Sequence, residues 1–237
     1  MHIPEGILNL YICVFMFVIS LVFLVWAWRE AKRTMPRSFI PLIAVMSAVV
    51  LVVQMVEFPV AGGGSTWHIM GGTLVTTILG PYGAIISLTI VLIIQALVFG
   101  DGGITSFGAN VFNMAVISAL SFFVIKFLLN GSSSKKRLSV SLFTAAWLSN
   151  ILTALAVGIQ IGINPLVETL GGIGVTVPTM LFWYVPTGLA EALFTVPIVL
   201  SLSQVSPTKL HGLSMLYDKN NEKKKTSSEN IGQKPAR

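Results

Sequence analysis

The sequence predicts an all-α integral membrane protein, a bundle of seven helices with its N-terminus outside and its C-terminus in the cytoplasm. Its 237 residues are 54% hydrophobic and only 10% charged, and the mean hydropathy is +0.83. A soluble domain carries roughly 25% charged residues, so a soluble protein is excluded. The single cysteine, Cys13, also excludes a disulfide scaffold.

The 15 Lys and Arg residues fall into three groups, which set the predicted topology. The groups occupy residues 29–37, 126–137 and 209–237, and the two segments between them contain no basic residue. Cytoplasmic loops of membrane proteins collect Lys and Arg, so we expect three cytoplasmic segments separated by membrane. This placement argues against nucleic-acid binding, which needs a basic patch on one folded face.

The first apolar run, Leu8–Trp28, has roughly the 20 residues that a spanning helix needs. It ends in Trp26 and Trp28, which are followed by Arg29, and no Lys or Arg precedes it. A signal peptide begins with positive charge, so we expect the N-terminus to be retained and to face the exterior.

The number of crossings between the first two basic groups must be even, because both groups are expected inside. Hydropathy gives three clear spans there, at residues 39–58, 82–99 and 104–128. The segment 67–79 is the candidate for a fourth, although at ~1.5 Å per residue it covers only about 20 Å of a ~30 Å hydrocarbon core. Such a short segment needs protein around it. Two further spans, at 138–163 and 178–205, complete the seven.

The chain is expected to form one membrane-embedded domain over residues 1–205, followed by a polar, basic cytoplasmic tail over residues 206–237. The tail has little apolar surface to bury, so we expect it to be disordered. His211 lies in this tail and is expected to be inert.

Polar side chains inside apolar spans are costly in lipid, so they mark functional or packing positions. For the amides we expect interhelical hydrogen bonds, and for the single deep carboxylate either a proton site or a structural hydrogen bond. The set comprises Gln54, Gln95, Asn110, Asn113, Asn150, Gln160 and Glu191. Asn110 and Asn113 share a helix face.

Two of the three histidines, His2 and His68, are expected on the exterior side. Each one alone is more often a hydrogen-bonded structural residue. Together they offer a chelate, because the Met1 amine, the His2 amide nitrogen and the His2 Nδ1 close a five-membered and a six-membered ring on one ion. Three nearly coplanar nitrogens favour square-planar nickel or copper, and His68 would supply the fourth nitrogen.

The opening residues 1–8, Met-His-Ile-Pro-Glu-Gly-Ile-Leu, resemble the start of the CbiM/NikM family. Members of this family are the substrate-capture (S) subunits of energy-coupling-factor (ECF) cobalt and nickel transporters. Residues 54–68, 95–110 and 188–195 are similar to further family segments, and the resemblance covers about residues 1–200 in order.

The resemblance implies a bundle into which the N-terminal residues tuck to bind the ion. In family terms the metal ligands are the Met1 amine, the His2 amide and imidazole nitrogens, and the His68 imidazole. Residues expected to support them through hydrogen bonds are Ser65, Thr66, Asn110 and Asn113.

The resemblance also implies a transport subunit of the cell membrane that captures nickel or cobalt as its substrate and has no cofactor, feeding cobalamin synthesis or nickel enzymes. Its implied partners are a transmembrane coupling (T) subunit, two cytoplasmic ATPases and a small accessory membrane subunit. The chain has no nucleotide loop of its own and no hydrolase signature, so we expect no enzyme activity. The alternatives are a self-sufficient metal channel or ion-coupled carrier, and a membrane anchor or assembly factor that binds no metal.

Overall fold

The computed structural model describes residues 1–59, 66–206 and 210–217. Within these ranges six helices are long and apolar enough to cross a membrane. The elements are α1 (Leu10–Thr34), α2 (Ile40–Gln54), β1 (Phe58–Pro59), β2 (Thr66–Trp67), α3 (Gly72–Ile94), α4 (Phe107–Val111), α5 (Ile117–Ala119), α6 (Ser121–Leu129), α7 (Lys135–Gly162), α8 (Pro165–Glu168) and α9 (Ile173–Val205). A 3₁₀ turn (Arg37–Phe39) leads into α2, and π-helical turns extend α3 (Gln95–Phe99) and join α4 to α5 (Phe112–Val116). The two strands, of two residues each, pair antiparallel.

Helix α1 begins where its sequence provides a cap. The side chain of Asn9 accepts a hydrogen bond from the Ile12 N–H at 2.9 Å, which satisfies one of the free donors of the first turn. Lys32 and Arg33 lie in the last turn, where positive charge complements the helix dipole. Much of the remaining surface of α1 is exposed and apolar, as expected of a helix that faces lipid.

Helix α3 folds back on itself. Gly80 has φ 76° and ψ 172° inside the helix, a left-handed backbone that favours glycine, and Pro81 starts the second leg. Gln54 contacts both ends of the segment, because its Nε2 donates to the Met70 carbonyl at 2.7 Å and its Oε1 accepts from Gln95 Nε2 at 2.9 Å. A straight helix of this length would separate its ends by about 34 Å, so the two legs must return to the same level.

The predicted count of seven helices is not confirmed, since the described residues contain six of membrane-spanning length. The short crossing expected at 67–79 is helical only from Gly72 and continues through Gly80 into the next span. Its first leg, residues 72–79, covers about 12 Å, too short to cross a bilayer by itself. The leg is fully buried among other helices, which is the surrounding that so short a segment needs.

The main core surrounds α3, where the buried faces of α2, α6, α7 and α9 meet it. Helices α7 and α9 pack along each other, and Gly158 and Gly162 of α7 bring the backbones close at Val177 and Ile173. A second, smaller cluster gathers Ile3, Leu8, Cys13 and Met16 around the N-terminal segment.

The expectation of a disordered tail from residue 206 is wrong for residues 210–217. Residues 211–217 are helical, and Leu210, Leu213 and Leu216 are buried in the main core. Three leucines at a spacing of three bury one face of this short helix, a period that the polar composition of the tail obscures. The remainder of the tail, 218–237, lies outside the described residues.

Candidate metal centre at the N-terminus

The first residues of the chain are inserted into the bundle, as the family resemblance implies. Ile3 has no exposed surface, and its backbone is fully bonded. Its N–H donates to Asn110 Oδ1 at 2.8 Å, while its carbonyl accepts from Ser106 Oγ at 2.6 Å and Asn110 Nδ2 at 3.2 Å. The single side chain of Asn110 therefore bonds both polar groups of one peptide residue and fixes where Met1 and His2 can lie.

Residues 1–5 lie in a groove, which we call the N-terminal binding groove. Asn110 and Ser106 line one side of it, and the loop between α3 and α4 lines the other. The Gly103 N–H donates to the Ile3 carbonyl at 3.1 Å, and a Cβ at Gly103 would stand only 2.7 Å from the Glu5 backbone. Glu5 in turn accepts hydrogen bonds from the Thr105 N–H and hydroxyl. Glycine at 103 therefore permits the close approach that seats residues 3–5.

The terminal amine and the distant imidazole meet inside this groove. The Met1 nitrogen lies 2.9 Å from His68 Nε2, although 67 positions separate the two residues. The rings of His2 and His68 stack with centroids 5.1 Å apart and planes at 21°. Neighbouring nitrogens on a square-planar ion with ~2.0 Å bonds stand about 2.8 Å apart, so the amine and His68 already have the separation of two adjacent ligands.

Burial keeps these nitrogens uncharged. Desolvation lowers the pKa of the Met1 amine from 8.0 to about 5, against the opposing effect of Asp101 and Glu57. Desolvation and the nearby terminal amine likewise lower the pKa of His2 to about 3 and that of His68 well below its usual 6.5. Metal ligands must be deprotonated to bind, so at neutral pH all three groups offer free lone pairs.

Both ring nitrogens of His2 face oxygen atoms. His2 Nε2 lies 3.2 Å from Gln95 Oε1, and His2 Nδ1 lies 3.2 Å from Asp101 Oδ2. Burial and the charge of Glu57 raise the pKa of Asp101. The imidazole is therefore fixed in orientation by two residues that lie close together in the sequence.

A second carboxylate borders the site. One carboxylate oxygen of Glu57 lies within 4.8 Å of ligand nitrogens of His2 and His68. Glu57 is exposed, whereas Met1 and His68 are 4% and 3% exposed. Glu57 therefore connects the buried nitrogens with the surface.

The structure brings together Met1, His2, His68 and Asn110 of the residues expected at the site, but not Asn113. The amide of Asn113 instead exchanges two hydrogen bonds with Gln160, at 2.7 and 2.8 Å. The expectation for Asn113 fails because the π-helical turn that begins at Phe112 changes the register of the helix after Asn110. Ser65 and the side chain of Thr66 lie outside the described part of the chain.

Sequence reasoning missed Glu57 and Asp101 as neighbours of the ion site. Both are acidic residues in segments that are otherwise nearly free of charge, and both come at the end of a predicted span on the side where His2 and His68 were expected. That common placement is the signal that identifies them.

The site combines three uncharged nitrogen donors with two carboxylates within a few ångströms. Such a set suits a divalent transition metal ion, because imidazole and amine nitrogens prefer such ions to magnesium or calcium. The two carboxylates offset the positive charge of the ion. A proton bound at these nitrogens would compete with the ion.

The comparisons with known proteins agree with this chemistry. Residues 2–209 match the model of the CbiM family, described as a cobalt uptake substrate-specific transmembrane region. One relative is a protein of Archaeoglobus fulgidus whose name is fused nickel transport protein NikMN. It is 34% identical over 212 residues, which are 87% of this chain and 67% of that one. The cobalt transport protein CbiM of Streptococcus sanguinis is 32% identical over 211 residues, 86% of this chain and 84% of that protein.

A solved structure has the same fold. The crystal structure of a truncated transition metal transporter superposes with a TM-score of 0.78 at 34% identity, and the match covers 86% of this chain and 99% of that one. With a family match over most of its length, relatives that are cobalt and nickel transport proteins and a multi-helix membrane fold, the chain belongs to the CbiM family of cobalt and nickel uptake transmembrane proteins.

Proposed function

We propose that this chain is the substrate-capture subunit of an ATP-driven ECF transporter that takes up nickel or cobalt. The observation that carries the proposal is the 2.9 Å separation between the Met1 amine and His68 Nε2. With the His2 amide nitrogen and the His2 Nδ1, these groups complete four nitrogen ligands. The substrate ion would lose its bound water as it enters, because Met1 and His68 are almost fully buried.

Four nitrogens that include a deprotonated amide favour a square-planar ion, so nickel is the preferred substrate and cobalt the second. Nickel enzymes or cobalamin synthesis would consume the captured ion. Both metals bind nitrogen sites of this kind, so the geometry of the fourth ligand, His68, decides between them.

The charge of the two ends supports an exterior site in the cell membrane. The end that carries the site has the acidic residues Glu5, Glu57, Asp101 and Glu168. The opposite end has the basic residues of the α1–α2 and α6–α7 connections. Because basic loops stay in the cytoplasm, this arrangement supports a site that faces outward and a C-terminus that faces inward.

The proposed energy source lies in other subunits. The sequence contains no Gly-x-x-x-x-Gly-Lys-Ser/Thr loop, so release of the ion would depend on a transmembrane coupling subunit and two cytoplasmic ATPases, together with a small accessory membrane subunit. The family match supports this assignment, since the matched region is described as substrate-specific.

The alternative is a channel or ion-coupled carrier that works alone, with Glu191 as its intramembrane carboxylate. Glu191 Oε2 accepts a hydrogen bond from the Met70 N–H at 2.7 Å at the N-terminal end of α3. A carboxylate at that position satisfies free N–H groups of the helix. This contact favours the structural explanation for Glu191 over a proton site.

The decisive experiment blocks the terminal amine. A C-terminally tagged protein is compared with the same protein carrying a short extension before Met1, designed so that a protease removes it and regenerates the Met1 amine. We expect the extension to abolish nickel and cobalt binding in equilibrium titrations, because the amine becomes an amide. Cleavage should restore binding, which shows that the extended protein was folded.

Unchanged affinity in the extended protein would refute the chelate. Uptake assays then separate the two transport mechanisms. We expect the chain to accumulate the ion only together with coupling and ATPase subunits, whereas equal accumulation by the chain alone would establish the carrier or channel.

A further inference from the structure

A chain of hydrogen bonds links the His2 ring to the protein backbone. Gln54 Nε2 donates to the Met70 carbonyl at 2.7 Å. Gln95 Nε2 donates to Gln54 Oε1 at 2.9 Å, and Gln95 Oε1 faces His2 Nε2 at 3.2 Å. Gln54 and Gln95 are each no more than 1% exposed, so water does not compete for these bonds.

The first member of this chain sets the orientation of all the others. A backbone carbonyl can only accept hydrogen bonds, so the Met70 carbonyl requires the NH₂ group of Gln54 and turns its Oε1 toward Gln95. That oxygen requires the NH₂ group of Gln95, which turns Gln95 Oε1 toward His2. Flipping either amide would place two acceptors or two donors in contact at a buried position, which is costly.

The last oxygen in the chain selects the tautomer of His2. Gln95 Oε1 can only accept, so the nitrogen that it faces, Nε2, must carry the ring proton. In a neutral imidazole the other nitrogen is then an acceptor with a free lone pair. That nitrogen is Nδ1, the atom that closes the six-membered ring of the chelate.

We propose that Gln54 and Gln95 are positioning residues that hold the His2 proton on Nε2 and thereby reserve Nδ1 for the metal ion. This inference rests on the proposed function, since it assigns a role within the same site. Neither glutamine contacts the ion. They act through the imidazole, as hydrogen-bonding neighbours of metal-ligating histidines commonly do.

The position of Asp101 favours a cation beside His2 Nδ1. With the proton on Nε2, the lone pair of Nδ1 faces Asp101 Oδ2 at 3.2 Å, and this oxygen is buried without a hydrogen-bond partner in the described part of the chain. Two acceptors that face one another repel, and a divalent ion beside Nδ1 relieves that repulsion. Asp101 also competes for the ring proton, so without the glutamines the proton would move to Nδ1 and block the ligand.

The Asn113–Gln160 pair provides a matched control. It too consists of buried amides that join separate helices, but the two side chains exchange hydrogen bonds with each other and make none to a histidine within the described ranges. Removing an amide at Gln160 should therefore cost stability of a similar size without affecting the His2 tautomer.

The first test reads the tautomer directly in the metal-free protein. The chain contains only three histidines, so ¹⁵N-histidine labelling with a histidine-free tag gives spectra that alanine substitutions can assign. We expect the proton of His2 on Nε2 in the unsubstituted protein and on Nδ1 in Gln95→Met. Gln54→Met should no longer hold the proton on Nε2. Gln160→Met should leave it on Nε2.

The second test measures nickel affinity in the same variants. We expect Gln95→Met and Gln54→Met to weaken binding by roughly tenfold to a hundredfold, and Gln160→Met to bind as the unsubstituted protein does. A proton on Nδ1 in the metal-free unsubstituted protein would overturn the proposal even if every variant failed to fold. It is equally overturned if Gln95→Met keeps both the Nε2 proton and full affinity. Absence of nickel and cobalt binding with the expected tautomers would instead refute the proposed function, and only the assignment of the His2 proton to Nε2 would stand.

Discussion

The two ends of the bundle each receive one terminal segment of the described residues, but by different kinds of contact. At the site end, Met1 and His2 are seated by hydrogen bonds that Asn110 and its neighbours make to Ile3. At the opposite end, residues 210–217 are seated by three buried leucines. Polar docking fixes the position of individual atoms, whereas apolar docking fixes only the packing of a surface.

The histidines at the two ends differ in the same way. His68 lies at the site end with its Nε2 2.9 Å from the Met1 amine. His211 lies at the opposite end, where its ring packs on Phe39 with centroids 5.0 Å apart. His68 is buried and His211 is half-buried, and among the described residues only His68 of the two meets other nitrogen donors. Burial alone does not make a metal ligand, and the donors that surround the ring decide its role.

Replacing each of these two histidines in turn should give the greatest difference in nickel affinity. We expect His68→Ala to reduce nickel affinity by more than about a hundredfold, which exceeds the usual cost of removing a neighbour of a ligand, because a ligand itself is lost. His211→Ala should leave affinity unchanged. Isothermal titration of both variants with nickel measures the difference, and equal loss in the two would show that His68 acts only through folding.

The second prediction concerns how nickel affinity depends on pH. Binding releases the proton of the His2 amide at any pH, so affinity should fall tenfold for each pH unit lost. Burial lowers the pKa of the Met1 amine to about 5, so that nitrogen is already free of its proton between pH 8 and pH 6. Below about pH 5 the amine also takes up a proton, and the fall should steepen to about a hundredfold per unit.

Nickel titrations from pH 8 to pH 4.5 measure this slope. An amine with the ordinary pKa of 8.0 would give the steep dependence over the whole range. Observing the steep slope already between pH 8 and pH 6 would therefore show that the amine is solvated and charged, contrary to the buried position of Met1.

The site was more predictable from the sequence than the fold around it. The chelating atoms of Met1 and His2 are neighbours in the chain, so covalent geometry nearly determines them, and the charge pattern places His68 on the same side. By contrast, Gly80 and Pro81 mark a break in the apolar run from Gly72 onward, but the direction in which the second leg leaves that break depends on the backbone angles of Gly80, which the sequence does not give.

The sequence could predict that the buried amides form hydrogen bonds between helices, but not which amide pairs with which. The sequence predicts that Gln54, Gln95, Asn113 and Gln160 form interhelical hydrogen bonds, and the structure confirms this. Which amide meets which depends on helix rotation, and the π-helical turn at Phe112–Val116 alters that rotation between Asn110 and Asn113. Composition likewise hid the leucines of residues 210–217, because the polar residues of the tail outnumber them.

Two acidic residues at the site end differ in their distance from the imidazole ligands, and their replacement should change nickel binding least. Glu57 and Glu168 are both acidic residues of this end, but only Glu57 lies within 4.8 Å of the imidazole ligand atoms. A negative charge beside the opening of a site raises the local concentration of a cation and its association rate. We expect Glu57→Gln to slow nickel association about threefold to tenfold, more at low ionic strength, and Glu168→Gln to leave the rate unchanged. Stopped-flow measurements separate association from dissociation, which should not change. A faster dissociation together with an altered nickel absorption spectrum would contradict the steering role, because those changes indicate that Glu57 binds the captured ion directly.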